Sequence, residues 1–129
     1  MGQCYSVAIE GKIKDDALLV KLTNDYINQP GSNFSDDCWD KSDLTTAEGC
    51  IRAILAGDTQ PEGYVIQELK NGNKMYSNGF DACYSWENVL YRWFIAVASA
   101  FEDGTEIEVY PDDGRWIVRV ENGVGTEIK

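Results

Sequence analysis

The chain contains no histidine. That removes the commonest general base and the commonest neutral metal ligand. A serine or cysteine nucleophile would need another activating partner, and no Gly-rich phosphate loop is present, so the pattern argues against an enzyme and implies no cofactor or metal. The four cysteines, Cys4, Cys38, Cys50 and Cys83, include no CxxC pair and suggest neither a zinc ribbon nor a redox motif. Isolated cysteines in a cytoplasmic protein are expected to be small buried hydrophobes, with an oxidised Cys38–Cys50 or Cys4–Cys83 pair as the alternative. Apolar runs are short, the longest being Trp93 to Ala98, far below the ~18 residues a membrane span requires. The start lacks the basic and apolar regions of a signal peptide, so a cytoplasmic setting is expected. Met1 to Ser6, MGQCYS, matches an N-acylation pattern, but no polybasic segment follows it; it reads as an initiator Met leading into a strand.

Basic residues are also scarce. Eleven Lys and Arg face 22 Asp and Glu, for a formal charge of −11. Nucleic acid and anionic membranes would be repelled, so neither is expected as a direct partner. Cation binding and docking on a basic protein surface remain open. Apolar content of 43% with 12% aromatics rules out a mainly disordered chain, and 129 residues read as one domain, 1–129.

What is present centres on Ser85 to Phe101. Trp86, Val89, Leu90, Trp93, Phe94, Val97 and Phe101 recur every three or four residues, the period of a helix face. Ile95, Ala96, Ala98 and Ala100 widen that face, leaving Glu87, Asn88, Tyr91, Arg92 and Ser99 for water. A helix this apolar belongs between other elements. Before it, alternation predicts a strand from about Cys4 to Ile13. A helix capped by Asp15 or Asp16 should follow, burying Leu18, Leu19, Leu22 and Tyr26 and stopping at Pro30-Gly31. Residues 29–42 read as a loop pinned by Phe34 and Trp39. Thr45 to Glu48 has the form of a capping box, opening a helix with Cys50, Ile51, Ile54 and Leu55 inward. Tyr64 to Leu69 and Lys74 to Ser77 read as a hairpin about Asn71-Gly72, with Asn78-Gly79 breaking the chain again. After the central helix, Gly104 suits a left-handed position. Strands then run either side of Pro111 to Gly114, with Ile107, Val109, Trp116, Val118 and Val120 on one face. Glu106, Glu108, Arg115 and Arg119 share the other, where cross-strand pairing is expected. Asn122-Gly123 leads to a short last strand, 126–128. The whole predicts an α+β domain: a mainly antiparallel sheet with about three helices on one side, the central helix 85–101 preceding a C-terminal hairpin.

The acids concentrate in two segments. Asp36, Asp37, Asp40, Asp43 and Glu48 accompany a single base, Lys41, while Glu102, Asp103, Glu106, Glu108, Asp112 and Asp113 accompany none. Their net charges of −4 and −6 account for nearly all of the −11. A calcium loop over Asp37 to Glu48 has the right length, but Trp39 and Lys41 occupy ligand positions and the sharp-turn glycine is missing. A small enzyme or divalent-cation module using clustered carboxylates is the alternative to a protein that acts by binding. Carboxylates spaced along a strand edge and a loop can imitate a row of phosphates and enter a basic groove meant for nucleic acid. In size, charge and aromatic content the chain resembles the small acidic inhibitors that phages and mobile elements use against nucleases, including anti-CRISPR and anti-restriction proteins. That resemblance implies a non-enzymatic inhibitor of a basic, nucleic-acid-handling partner. Candidate contact residues are the acids Asp36, Asp37, Asp40, Asp43, Glu102, Asp103, Glu106, Glu108, Asp112 and Asp113, with Trp39 and Tyr110 as aromatic anchors. Tyr91 and Phe34 are further candidates for exposed aromatics.

The central helix provides the first test. Trp93→Ala is expected to lower stability by about 3–5 kcal/mol, the cost of deleting a buried large aromatic. Urea unfolding measures it, and a loss below about 1 kcal/mol would place the ring outside the core.

Overall fold

Residues that alternate along a strand point to opposite faces of a sheet, and in this chain every buried apolar strand residue lies on the same face. A computed structural model describes residues 3–28, 44–56, 64–82, 86–110 and 114–128. In chain order these form β1 (Gln3–Gly11), α1 (Asp16–Ile27), α2 (Ala47–Ala56), β2 (Val65–Glu68), β3 (Lys74–Ala82), α3 (Trp86–Val97), β4 (Glu106–Tyr110), β5 (Trp116–Glu121) and β6 (Val124–Ile128). The six strands make one sheet in the order β2-β3-β1-β4-β5-β6, every neighbouring pair antiparallel. The domain is α+β, with the long helix preceding the C-terminal strands, as its sequence predicts.

Register explains the single core. Val7 and Ile9 stand opposite Asn78 and Tyr76 on one side and Val109 and Ile107 on the other, and Ile107 stands opposite Val118. All of these are buried. The helices lie over that layer. Trp93, Phe94, Val97 and Phe101 are fully enclosed, with the Phe94 and Phe101 rings stacked at 5.5 Å and Trp93 edge-on to Phe101 at 6.5 Å. The Trp93 indole N–H donates to Thr23 Oγ1 at 3.0 Å, both residues being inaccessible to solvent. The Tyr26 hydroxyl donates to the Val89 carbonyl at 3.2 Å. These two bonds tie α3 to α1.

The structure corrects several details. In α1 the buried stripe is Leu19, Thr23 and Ile27, with Leu18, Leu22 and Tyr26 only half-buried. Thr23 goes inward because the Trp93 indole needs an acceptor there. Asp15 does cap α1, its Oδ1 accepting from the Leu18 amide at 3.0 Å. For α2 the hydroxyl that caps is Thr46, accepting from the Gly49 amide at 3.0 Å. The helix therefore starts one residue later than the Thr45–Glu48 pattern implies, and Gly49, not Glu48, stands three residues after the cap. Asn78-Gly79 does not break the chain. It lies inside the nine-residue β3, where Asn78 is buried and donates to the Leu55 carbonyl at 3.0 Å. Tertiary pairing with β1 and a helix end outweighs the local turn preference. β1 stops at Gly11 rather than Ile13, which makes only an isolated bridge to Phe101. β6 begins at Val124, two residues before the expected 126, because the Asn122-Gly123 turn pairs Glu121 directly with Val124. On α3, Ile95 is 38% exposed and Ala96 is exposed. Ile95 packs on the edge strand, at Gly125, instead of in the core. Tyr91 is half-buried, edge-on to Trp116 at 5.5 Å. Ser85, the expected cap of α3, lies outside the described residues.

The Asn71-Gly72 and Asn122-Gly123 turns are present as expected, while Pro111 to Asp113 lie outside the described residues. Asn71 and Gly72, like Asn122 and Gly123, take positive φ of 63°, 79°, 56° and 76°, the primed-turn backbone that matches strand twist. Gly11 answers a different need. It ends β1 at φ 155°, and a Cβ there would meet Thr105 Cβ at 2.6 Å and Oγ1 closer still. Thr105 cannot move easily, since it is 2% exposed. Its carbonyl accepts from Val120 at 2.8 Å and its hydroxyl accepts from the Lys12 amide at 3.2 Å. Gly11→Ala is therefore expected to cost about 1–3 kcal/mol, the range for forcing atoms into a packed site. Urea denaturation should show a lower midpoint at unchanged slope.

Candidate functional site

With every described helix on one side, the other face of the sheet carries no helical layer, and none of its described side chains is buried. Two rows cross it. The first runs Gln67, Met75, Glu10, Glu106, Arg119 and Thr126 from β2 to β6. The second runs Val65, Ser77, Ala8, Glu108, Ile117 and Ile128. Tyr110 lies beside them, 43% exposed, opposite Ser6.

The expected cross-strand pairing forms here. Arg119 binds Glu106 at 2.6 Å and reaches Glu121 at 4.0 Å. Arg115 lies 3.5 Å from Glu108 and its guanidinium sits 5.5 Å from the Tyr110 ring centre. The Tyr110 hydroxyl donates to Glu108 at 3.0 Å. All are partly solvated, so each pair contributes little to stability, about 0–1 kcal/mol. Their effect is local neutralisation. Of the six acids in the C-terminal segment, Glu106 and Glu108 are matched by arginines. Asp103 is exposed and accepts the Gly123 amide at 3.1 Å, bracing the last turn. Glu102 is exposed and makes no ion pair with a described residue, and the same holds for Glu10 across the sheet. Asp36, Asp37, Trp39, Asp40, Asp43, Asp112 and Asp113, together with Phe34, lie outside the described residues. The structure thus brings Glu102, Asp103, Glu106, Glu108 and Tyr110 into one region. Among the described residues, no group of three or more acids or cysteines is placed to hold a metal ion. Cys50 is buried, and its Sγ lies 3.6 Å from the Leu44 carbonyl.

A second feature had no signal in the sequence. On the helix side of the sheet, where β1 ends and β3 begins, a pocket of about 330 Å³ opens between the first turns of α1 and α2. Lys12, Asp16, Glu48, Lys74 and Tyr76 line it. They come from three separated segments, and no spacing rule joins them. Tyr76 is only 5% exposed, and no described residue hydrogen-bonds its hydroxyl. Burial raises its pKa, and Glu48 and Asp16 raise it further. Next to it the Tyr64 hydroxyl is buried, with no hydrogen-bond partner among the described residues. Burial raises its pKa strongly, Glu48 and Tyr76 add to that, and Arg52 opposes them. Tyr26 is also raised by burial, against Arg92.

These shifts set an alkaline limit. Above about pH 10, where tyrosine in an unfolded chain ionises, folded Tyr26, Tyr64 and Tyr76 keep their protons. Their contribution is complete below that pH and is lost as pH rises through the folded values. Phenolate absorbance should show at least three of the seven tyrosines titrating late and together with unfolding. Three ordinary titrations in the native protein would contradict this.

No protein family, no curated protein and no solved structure matches the chain, so what it does has to be read from its own residues.

Proposed function

We propose that this is a non-enzymatic binding protein whose acidic surface docks on a basic partner. The proposed partner handles nucleic acid, and the chain occupies a groove built for phosphates. The observation that carries this reading is the location of the negative charge. Nearly all of the net −11 falls in two segments, and the C-terminal one borders a sheet face that no described helix covers. Glu10, Glu102 and Glu121 are exposed on or beside that face. Tyr110 offers an aromatic contact among them, of the type that anchors interfaces. Arg115 and Arg119 do not cancel the design. Interleaved opposite charges fix register and reject wrong partners, while the net negative field steers the encounter. The finer form of the proposal is an inhibitor of a nuclease, of the anti-CRISPR or anti-restriction kind, acting in the cytoplasm. Direct binding to nucleic acid or membrane forms no part of it.

The test uses the full chain as bait, with the captured protein identified and its nucleic acid offered as competitor. Capture should weaken between about 0.1 and 1 M salt, as the Debye length falls from about 10 Å to about 3 Å. It should also be lost when Glu10 and Glu102 become lysine, two changes that break no observed ion pair. Tm of the variant should stay within a few degrees of the parent, as for most surface changes. Capture that resists salt and survives both substitutions, or a partner that nucleic acid does not displace, would rule the reading out.

A further inference from the structure

We propose that β6, the outermost strand beside β5, takes an extended segment of the basic partner as one more antiparallel strand. The proposal rests on the reading above only for the positive charge of that partner. It adds a second contact, at the edge of the sheet.

The edge is open in a defined way. The Val120 N–H donates to the Thr105 carbonyl and its C=O accepts from the Gly104 amide, both at 2.8 Å and both on the β4 side. Backbone groups of successive strand residues point to alternate edges. Val118 and Val120 therefore face β4, while Arg119 and Glu121 face β6. Opposite them, Thr126 and Val124 bond to β5, and Glu127 and Gly125 aim their N–H and C=O outward. No described residue pairs with those groups, since β6 ends the strand order. The turn before β6 is braced by Asp103, so the strand is held in place for a partner. Edge strands are commonly guarded by lysine, proline or a bulge. The sequence VGTEI of β6 has neither residue, and its register with β5 is unbroken.

The side chains beside the edge decide what fits it. Val124 is 60% exposed on the outer side and Ile95 is 38% exposed on the helix side. Ile95 stands over Gly125, where a Cβ would lie 2.7 Å from its Cδ1. The missing side chain lets α3 come down to the edge, so Ile95 borders the lane an added strand would follow. Glu127 shares the helix side, opposite Val118, exposed and without an ion pair to a described residue. A strand antiparallel to β6 sets one residue against Glu127 and, two positions on, another against Gly125 and Ile95. The first calls for Arg or Lys and the second for a large aliphatic. The next residue, on the outer side, meets Val124 and is apolar as well. Strand addition draws its affinity from main-chain hydrogen bonds and its specificity from such alternate side chains. A second copy of this chain fits worse. Pairing β6 with β6 would bring together two chains of charge −11, with both Glu127 side chains on one short stretch and no base within β6 to meet them.

The probe is the peptide Thr-Arg-Thr-Ile-Val-Lys, blocked at both ends, added to the isotope-labelled full chain. In the free protein the Gly125 and Glu127 amides should exchange with solvent quickly and that of Thr126 slowly. Saturating peptide should slow Gly125 and Glu127 and leave Thr126 as it was. N-methylation of the peptide's Arg and Ile, which face those amides, should weaken binding about tenfold, the loss of two ordinary hydrogen bonds. N-methylation of its middle Thr and Val should not. Glu127→Lys should reject this peptide and accept the form with Glu in place of Arg. The proposal fails if Gly125 and Glu127 are not slowed, if both N-methylated forms bind alike, or if Glu127→Lys keeps the original preference. It also fails if those amides slow with rising protein concentration alone, the sign of a second copy. Partner capture separates the two readings. Capture lost with Glu10 and Glu102 reversed but kept in Glu127→Lys sinks the edge proposal alone, and the converse sinks the acidic-face reading alone.

Discussion

The indole N–H of Trp93 has to find an acceptor in a place water does not reach. It finds Thr23 Oγ1, 3.0 Å away on α1. A buried donor left unmet costs about 1–3 kcal/mol, so this bond sets how α1 can slide or rotate against α3. Everything above the sheet inherits that setting. Thr23 turned inward brings Leu19 and Ile27 with it, four residues either side on the same face. Tyr26 then reaches the Val89 carbonyl on the next turn of contact. With α3 so placed, Phe94 and Phe101 join Val7, Ile9 and Ile107 of the central strands in one buried cluster.

The one-sided character of the domain follows from the same packing. All the large apolar side chains of the described strands' inner rows are used against the helices. The outer rows are left with Glu, Arg, Ser and scattered aliphatics, all half-exposed or exposed. Such a face is stable as it stands, because Glu106 and Glu108 are paired with arginines of the next strand and its centre, Ser6, Ala8, Ser77 and Gly79, is too small to demand cover. It is also available. The acids beside it meet solvent with their charge only partly matched by Arg115 and Arg119, which gives the molecule a negative side without a continuous negative stripe.

Much of this was legible from local pattern. The period of α3, the alternation in β4 and β5, and the Asn-Gly turns each state their structure within a dozen residues, and the Glu–Arg pairing follows once two strands are laid antiparallel. The misses share one cause. Asn78-Gly79 reads as a turn until β1 lies beside it and Leu55 offers a carbonyl. Leu22 reads as buried and Thr23 draws no reading at all until Trp93 is known to meet Thr23. Ile95 reads as core until an edge strand with a glycine passes beneath it. The pocket is the extreme case. Lys12 with Asp16, Thr46 with Glu48, and Gly72 with Tyr76 are each unremarkable locally, and only the meeting of three segments makes their charges face one space.

The place of β1 in the sheet bears on how the chain is made. Its two neighbours are β3 and β4, so Val7 waits for Asn78 on one edge and Val109 on the other. β1 is an inner strand, and its two hydrogen-bonding edges stay unmatched until β3, ending at Ala82, and β4, ending at Tyr110, have followed it from the ribosome. Pairings this distant in sequence are slow to form, since the intervening chain must be ordered before they repay it. In the interval α1 can form alone but cannot bury Thr23, because Trp93 has yet to appear. A nascent chain of this protein therefore carries an open strand edge until β4 has been made, and an unpaired edge is a site of mispairing.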